Sequence, residues 1–274
     1  MDKRLTPARP DLAAAHLKGK VEAERFVEGE KLMSLRGHTA MRARPESHCS
    51  QETELLCGEL FTVYEHKNGW AWGQIASDGY VGYVHGVSLG PYVEPTHRVT
   101  ARSAPVLIQP EVKSAAVNFL PMNAVVRLEK HQGDFFQTNT GFVSYRHLAP
   151  LSEHAIDFVS VAEGFLHVPY LWGGKTVAGL DCSGLIQTAL QAAGIGTPRD
   201  TDMMENALGL PVDQNEIQRG DLMFWKGHVG VMLDKQHLLH ANAFHMEVFA
   251  EPFSQAVTRI EAGGRGAITS IKRL

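Results

Sequence analysis

The chain lacks the long apolar runs that anchor a protein in a bilayer. No stretch of its 274 residues approaches the roughly eighteen consecutive apolar side chains that a membrane-crossing helix needs, so helical spans are excluded. It is also poor in cysteine. There are three, Cys49, Cys57 and Cys182, an odd number with the third far from the other two. That excludes a disulfide framework. His48, Cys49 and Cys57 have no paired Cys-x-x-Cys spacing, so no metal site is expected from them. Basic excess is missing too. With a formal net charge of −4 and a pI near 6.4, neither nucleic acid nor an anionic membrane meets a cationic face. The opening "MDKRLTPARPDLAAAHLKGK" carries charges but no apolar core. It does not read as a secretory signal, and a reducing, cytoplasmic location is expected.

What is present is ordinary for a protein with a real core, 44% hydrophobic and 20% charged, with room for two or three domains. Two segments are versions of one another. "GELFTVYEHKNGWAWGQIASDGYVGYVHGVSL" (58–89) and "MNAVVRLEKHQGDFFQTNTGFVSYRHL" (122–148) each read as a strand, a Gly turn before aromatics, a second strand, and Gly-aromatic-Val. Gly133 follows Gly69 by 64 residues and Tyr145 follows Tyr83 by 62. Two small β-barrels in tandem are expected. The pattern resembles bacterial SH3-like domains, with "GYV" closing the first copy. Trp70 and Trp72 read as barrel-core and groove aromatics. Residues 11–34 favour helix by composition, which predicts a helical lead-in packed on the first barrel. The expected domains are 1–34, 35–91, 92–150 and 151–274.

From "APLSEHAIDFVSVAEGFL" onward the pattern changes. Ser152 or Glu153 is predicted to open a helix with Ile156, Val159 and Phe165 on its apolar side. A Pro- and Gly-rich loop, "HVPYLWGGK", follows. "SGLIQTALQAAGI" predicts a buried helix closed by Gly194. "GDLMFW", "HVGVMLD", "HLLHANA" and "MEVFAE" then read as strands. A helix followed by a run of strands gives the α+β class.

Cys182 sits where that helix begins. A thiol near its free pKa of about 8.5 is mostly protonated at neutral pH. Unpaired N–H groups at a helix N-terminus favour the thiolate, and so does an adjacent imidazolium. Of the 14 histidines, most, including His16, His38, His66 and His97, lie in polar or loop-like contexts. His228 differs. It opens an apolar strand between Gly227 and Gly230, which leave room for close approach. His240, on the next strand, is placed to bond the far nitrogen of His228 and orient it. Residue types alone leave open a structural cysteine beside two satisfied histidines.

"LDCSGL", "GHVGV" and "HA", preceded by "PYLWGG" and joined by "PRDT", narrow the choice. In this order, from about residue 152 to the C-terminus, they resemble the NlpC-type family of papain-like cysteine peptidases, which cleave cell-wall peptides. The resemblance implies Cys182 as nucleophile, His228 as general base and His240 as its orienting partner. It also implies a thioester intermediate and no cofactor. Tandem SH3-like domains before such a domain are similar to γ-D-glutamyl-L-diamino acid endopeptidases. Those enzymes act on short murein peptides, L-Ala-γ-D-Glu-diamino acid, with a free N-terminal L-Ala. That similarity implies substrate contacts from Tyr170, Asp181, Ser183, Asp200 and Thr201. From the first SH3-like domain it implies Glu52 and Tyr80, with Glu54 and Tyr83 as alternatives. A carboxylate with hydroxyl oxygens offsets the desolvation of an ammonium group. Blander roles compete. Asp181 and Asp200 also suit helix N-caps, while Tyr170 and Trp172 suit packing. Two rival functions are a wall-peptide-binding protein with a degenerate catalytic domain and a thiol acyltransferase. The accepted diamino acid and the oligomeric state are open.

Overall fold

A two-residue turn sets the register of the first repeat. Asn68 and Gly69 both take positive φ, 50° and 81°, the geometry that suits the tightest hairpins and that a β-branched residue resists. It joins strands Leu60–Lys67 and Trp70–Ile75. In the computed structural model, which describes residues 1–274, these belong to a seven-stranded antiparallel sheet. Its order is 51–56, 38–42, 81–85, 70–75, 60–67, 30–34 and 89–91. Met41, Leu55, Phe61, Val63, Ala71, Ile75, Tyr80 and Val84 fill the barrel.

The second repeat follows the same succession of elements. Strands Leu128–Gln132, Phe135–Thr138 and Gly141–Ser144 lead to a 3₁₀ turn, Tyr145–His147, and the strand Leu148–Pro150. In the first copy the turn is Gly86–Ser88 and the closing strand Leu89–Pro91. Leu56 and Cys57 of the first barrel join Val99, Val106, Leu120, Val126 and Val143 of the second in one core. Gly58 permits this junction, since a Cβ there would lie 1.9 Å from the Val125 carbonyl oxygen.

The helical lead-in is not formed. Residues 11–34 hold one 3₁₀ turn, Ala15–Leu17, between Ala13–Ala14 and Phe26–Val27, which pair in parallel. Glu30–Ser34 is a strand of the first barrel, so that barrel starts before residue 35. Helix propensity is a weak bias that tertiary contacts override. Here residues 30–33 pair with residues 60–63 and the Arg25 guanidinium lies 3.6 Å from Glu65, while the chain just before the segment is anchored by Arg9. Its guanidinium lies 4.4 Å over the Trp72 ring and donates to Tyr83 Oη (2.8 Å) and Glu65 (2.7 Å). The packing of this segment on the first barrel is thus as expected, and its helicity is not.

Met1–Glu153 and His154–Leu274 are separate compact units. In the second unit, helix α1 (Phe158–Glu163) begins later than Ser152 or Glu153. The Asp157 carboxylate caps it by accepting the Val159 N–H at 2.9 Å, which leaves Ile156 exposed. Helix α2 (Cys182–Ala192) ends just before Gly194, as expected. Leu185, Ile186, Ala189 and Leu190 of α2 are wholly buried, and the helix packs on strands His228–Met232 and His237–Asn242. The antiparallel sheet runs 210–211, 270–273, 222–225, 228–232, 237–242 and 247–252. The four strands anticipated from the sequence are adjacent in it. The C-terminal strand Ser270–Arg273 inserts on one side of them. No helix is long and apolar enough to cross a membrane.

The apolar stem of α2 holds the residue at its N-terminus in place. Ile186→Ala removes a wholly buried side chain and is expected to cost about 2–5 kcal/mol. A lowered denaturant midpoint for the second unit checks this; an unchanged midpoint overturns the stem's assigned role.

Candidate active site

The start of α2 is fixed by a buried ion pair. Asp181 is its N-cap, and the carboxylate accepts N–H bonds from Gly184 (2.6 Å) and Gly173 (2.7 Å). Arg199, with no exposed surface, donates to the same carboxylate at 2.7 Å and to Ser183 Oγ at 2.6 Å. Burial opposes a charge on Arg199, but Asp181 beside it holds the guanidinium protonated above its ordinary range. Asp181 and Ser183 were expected on the wall of a cleft. Their side chains are instead spent inside the protein, as supports beneath the first helical turn. The physical reason is Arg199, a cation that has to be paired once it is buried.

Cys182, the first residue of α2, is 8% exposed. Its Sγ lies 3.9 Å from Thr201 Oγ1, on the first residue of helix α3 (Thr201–Ala207). The Val229 N–H acts on the sulfur as well, and α2 packs on the His228–Met232 strand, so the thiol faces the beginning of that strand. Burial pushes the thiol up and Asp181 adds to this, while the Val229 N–H, Thr201 and Arg199 act the other way. Burial also pulls His228 well below its ordinary 6.5, reinforced by His240, Arg265 and Arg259. A thiolate favoured by the helix end was expected. Burial opposes that effect and favours the neutral thiol and the neutral imidazole.

His228 is linked to a chain of buried groups. Its Nε2 lies 2.8 Å from His240 Nδ1, and His240 Nε2 lies 2.7 Å from Glu251 Oε1. Arg259, on helix α4 (Phe253–Ile260), donates to the same Glu251 oxygen. Gly230 suits the close histidine pair, since an added Cβ there would crowd Leu238 Cδ1 at 2.9 Å and His240 Cβ at 3.1 Å. Burial lowers His240, and Glu251 opposes it. Burial acts against ionisation of Glu251, yet His240 and Arg259 hold its carboxyl below the ordinary glutamate range. Glu251 and Arg259 were not anticipated. The available signal was an acidic residue in "MEVFAE" two places beyond Phe249, which pairs with His240, and therefore on the same sheet face.

The other anticipated residues are dispersed. Tyr170 is half-buried, and its backbone N–H donates to the Met246 carbonyl at 2.8 Å. Burial raises its hydroxyl, with Cys182 and Asp181 adding to the effect, which puts it in electrostatic reach of Cys182. Asp200 occupies the N-cap position of α3 without making a side-chain capping bond. Trp172, expected to pack, is exposed. In the first unit, Glu52 is half-buried and accepts a bond from Ser50 Oγ at 3.2 Å, while Tyr80 lies in the barrel core. Glu54 is buried with His38 Nδ1 at 2.8 Å, and Tyr83 takes the bond from Arg9. Cys49 is also buried, and burial alone drives the Cys57 thiol up to about 12.

The neutral resting pair has a measurable consequence. Only the thiolate is alkylated, and a raised thiol pKa shrinks its fraction at neutral pH. Reaction of Cys182 with iodoacetamide is expected to be slow at pH 7 and to climb only above the ordinary thiol pKa of about 8.5. A reactive plateau extending below pH 7 would instead signal a preformed thiolate–imidazolium pair.

Comparisons with known proteins identify the two parts of the chain. Residues 167–260 match the NlpC/P60 family, and residues 41–89 match the bacterial dipeptidyl-peptidase Sh3 domain. A dipeptidyl-peptidase 6 of Lysinibacillus sphaericus is 28% identical over 235 residues, covering 75% of this chain and 85% of that protein. A gamma-D-glutamyl-L-lysine dipeptidyl-peptidase of Bacillus subtilis is 27% identical over 221 residues, covering 69% and 72%. The crystal structure of an NlpC/P60 family protein from Bacillus cereus shares the fold, with a TM-score of 0.75 at 20% identity over 89% of this chain and 99% of that one. A buried thiol at a helix start, two histidines on adjacent strands and these matches lead to one assignment: the chain carries an NlpC/P60 cysteine peptidase domain, preceded by a bacterial SH3 domain.

Proposed function

We propose that this peptidase hydrolyses the amide between γ-D-glutamate and the diamino acid of short murein peptides with a free N-terminal L-Ala. The observation that carries the proposal is the Cys182 thiol set against the strand that begins with His228, itself bonded to His240. The name of the Bacillus subtilis relative, a gamma-D-glutamyl-L-lysine dipeptidyl-peptidase, supports the same bond type. The three free thiols are compatible with a reducing cytoplasm, where such peptides would be recycled.

The chemistry begins from the neutral pair. When substrate enters, His228 Nδ1 takes the thiol proton as sulfur attacks the amide carbonyl carbon. The carbonyl oxygen becomes an oxyanion beside the Cys182 and Ser183 N–H groups at the start of α2, which have no partners within the helix. The tetrahedral species collapses as the C–N bond breaks, and the His228 imidazolium gives its proton to the leaving amine. An L-Ala-γ-D-glutamyl thioester remains on Cys182. Water then attacks it, with His228 accepting the water proton and returning it to the sulfur.

Selectivity for a free amine falls to Asp200, with Thr201 beside it. A carboxylate pairs with an ammonium group, and an acylated amine forfeits that charge-assisted bond. Such bonds contribute about 1.5–3 kcal/mol, or roughly 10- to 150-fold.

L-Ala-γ-D-Glu-diaminopimelate is therefore expected to release free diamino acid with the wild type and not with Cys182→Ala. Its N-acetylated copy is expected to fall at least tenfold in kcat/KM. Equal rates for the two peptides remove amine capture, and no release from either removes the substrate assignment. Asp200→Asn should narrow the gap between the peptides, chiefly through KM; an unchanged gap excludes Asp200 as the receiving group.

A further inference from the structure

Two histidines in a row have no inherent direction. A neutral imidazole carries one N–H donor and one bare acceptor nitrogen, and either tautomer satisfies a single hydrogen bond. The contact between His228 Nε2 and His240 Nδ1, at 2.8 Å, can thus run either way. If His228 donates, its Nδ1 is bare and able to take a proton. If His240 donates, His228 carries its proton on Nδ1 and cannot accept one there.

The structure closes this ambiguity at the far end of the chain. Glu251, 6% exposed, places Oε1 at 2.7 Å from His240 Nε2. An ionised carboxylate only accepts, so His240 Nε2 has to carry the hydrogen. His240 Nδ1 is then bare, His228 Nε2 has to donate to it, and His228 Nδ1 is left free. We propose that Glu251 is a positioning residue that sets the tautomers of both histidines and so makes His228 Nδ1 a base. This deepens the peptidase reading and rests on it only for the role of His228.

Arg259 completes the device. It shares Glu251 Oε1 with His240 and lies 4.6 Å over the Phe244 ring, on the helix that follows the Glu251 strand. Its charge favours the ionised form of Glu251, and a protonated Glu251 would be able to donate and reverse the chain. No proton has to travel to Glu251 during turnover. When His228 becomes an imidazolium, its Nε2–H bond to His240 strengthens and Glu251 stabilises the charge through the intervening ring.

The test reads tautomers directly. In ¹⁵N NMR of histidine-labelled protein at neutral pH, His228 and His240 are both expected as Nε2–H tautomers with bare Nδ1. A proton on His228 Nδ1 in the wild type overturns the proposal with no variant needed. Glu251→Gln keeps an acceptor oxygen for both His240 and Arg259, and should preserve the tautomers and at least a tenth of kcat/KM. Glu251→Leu removes the acceptor. It should mix or reverse the tautomers and lower kcat on the tripeptide by about 10²–10⁴-fold, with KM little changed. Unchanged tautomers in Glu251→Leu, or equal losses in the two variants, refute the assignment. A protein that shows the expected tautomers but does not cleave the tripeptide would instead refute the substrate reading, which separates the two failures.

Discussion

The catalytic domain is organised around one buried ion pair, Asp181 with Arg199. Taking two charges out of water is costly, and such a pair persists only where further hydrogen bonds satisfy both partners. Here the Gly173 and Gly184 N–H groups complete Asp181, and Ser183 Oγ takes the second arm of Arg199. These bonds tie the "GG" loop, the first turn of α2 and the segment leading into α3 to one carboxylate. Cys182 lies between two of the residues so held, and Thr201, two places beyond Arg199, reaches its sulfur. The thiol has little freedom to choose its position because each neighbour is anchored to the same pair.

Anchoring by burial has a chemical consequence. The dryness that fixes the helix start also raises the thiol and lowers His228. A preformed ion pair between Cys182 and His228 is disfavoured, so in the proposed reaction the proton moves as substrate binds. The quality of the base then depends on which nitrogen of His228 is bare, and that is decided by groups distant from the sulfur in the hydrogen-bond chain.

Much of this was legible in the sequence. The hairpin turn at Asn68-Gly69, the four strands from Leu222 to Pro252 and the extent of α2 follow from local rules on turns, alternation and helix ends. Those rules hold where local preference and tertiary packing agree. They failed at residues 11–34, whose helix-favouring composition yields to strand pairing and to the approach of Arg25 to Glu65, with Arg9 just upstream held by Trp72, Tyr83 and the same Glu65. They failed for Ile156 because the nearby Asp157 caps the helix and starts it later. The motifs gave the thiol and both histidines. They did not give Arg199 or Glu251, since a charged residue in a short motif reads as surface until its buried partner is known. In "PRDT" the acidic residue drew attention and the arginine did not, although the arginine is the one with no solvent exposure.

A histidine as third member also differs physically from an acidic one. A carboxylate next to the base accepts only, so it fixes the tautomer of the base by itself. A histidine in that place defers the choice by one step, and something beyond it has to make the choice. In this chain the strand carrying Glu251 pairs with the strand carrying His240, and the helix carrying Arg259 follows it directly. The terminal acceptor and the cation that keeps it ionised therefore arrive on a single strand–helix segment. The asymmetry that the two imidazoles lack is supplied by the fold itself, at a point that no motif around the nucleophile or the base records.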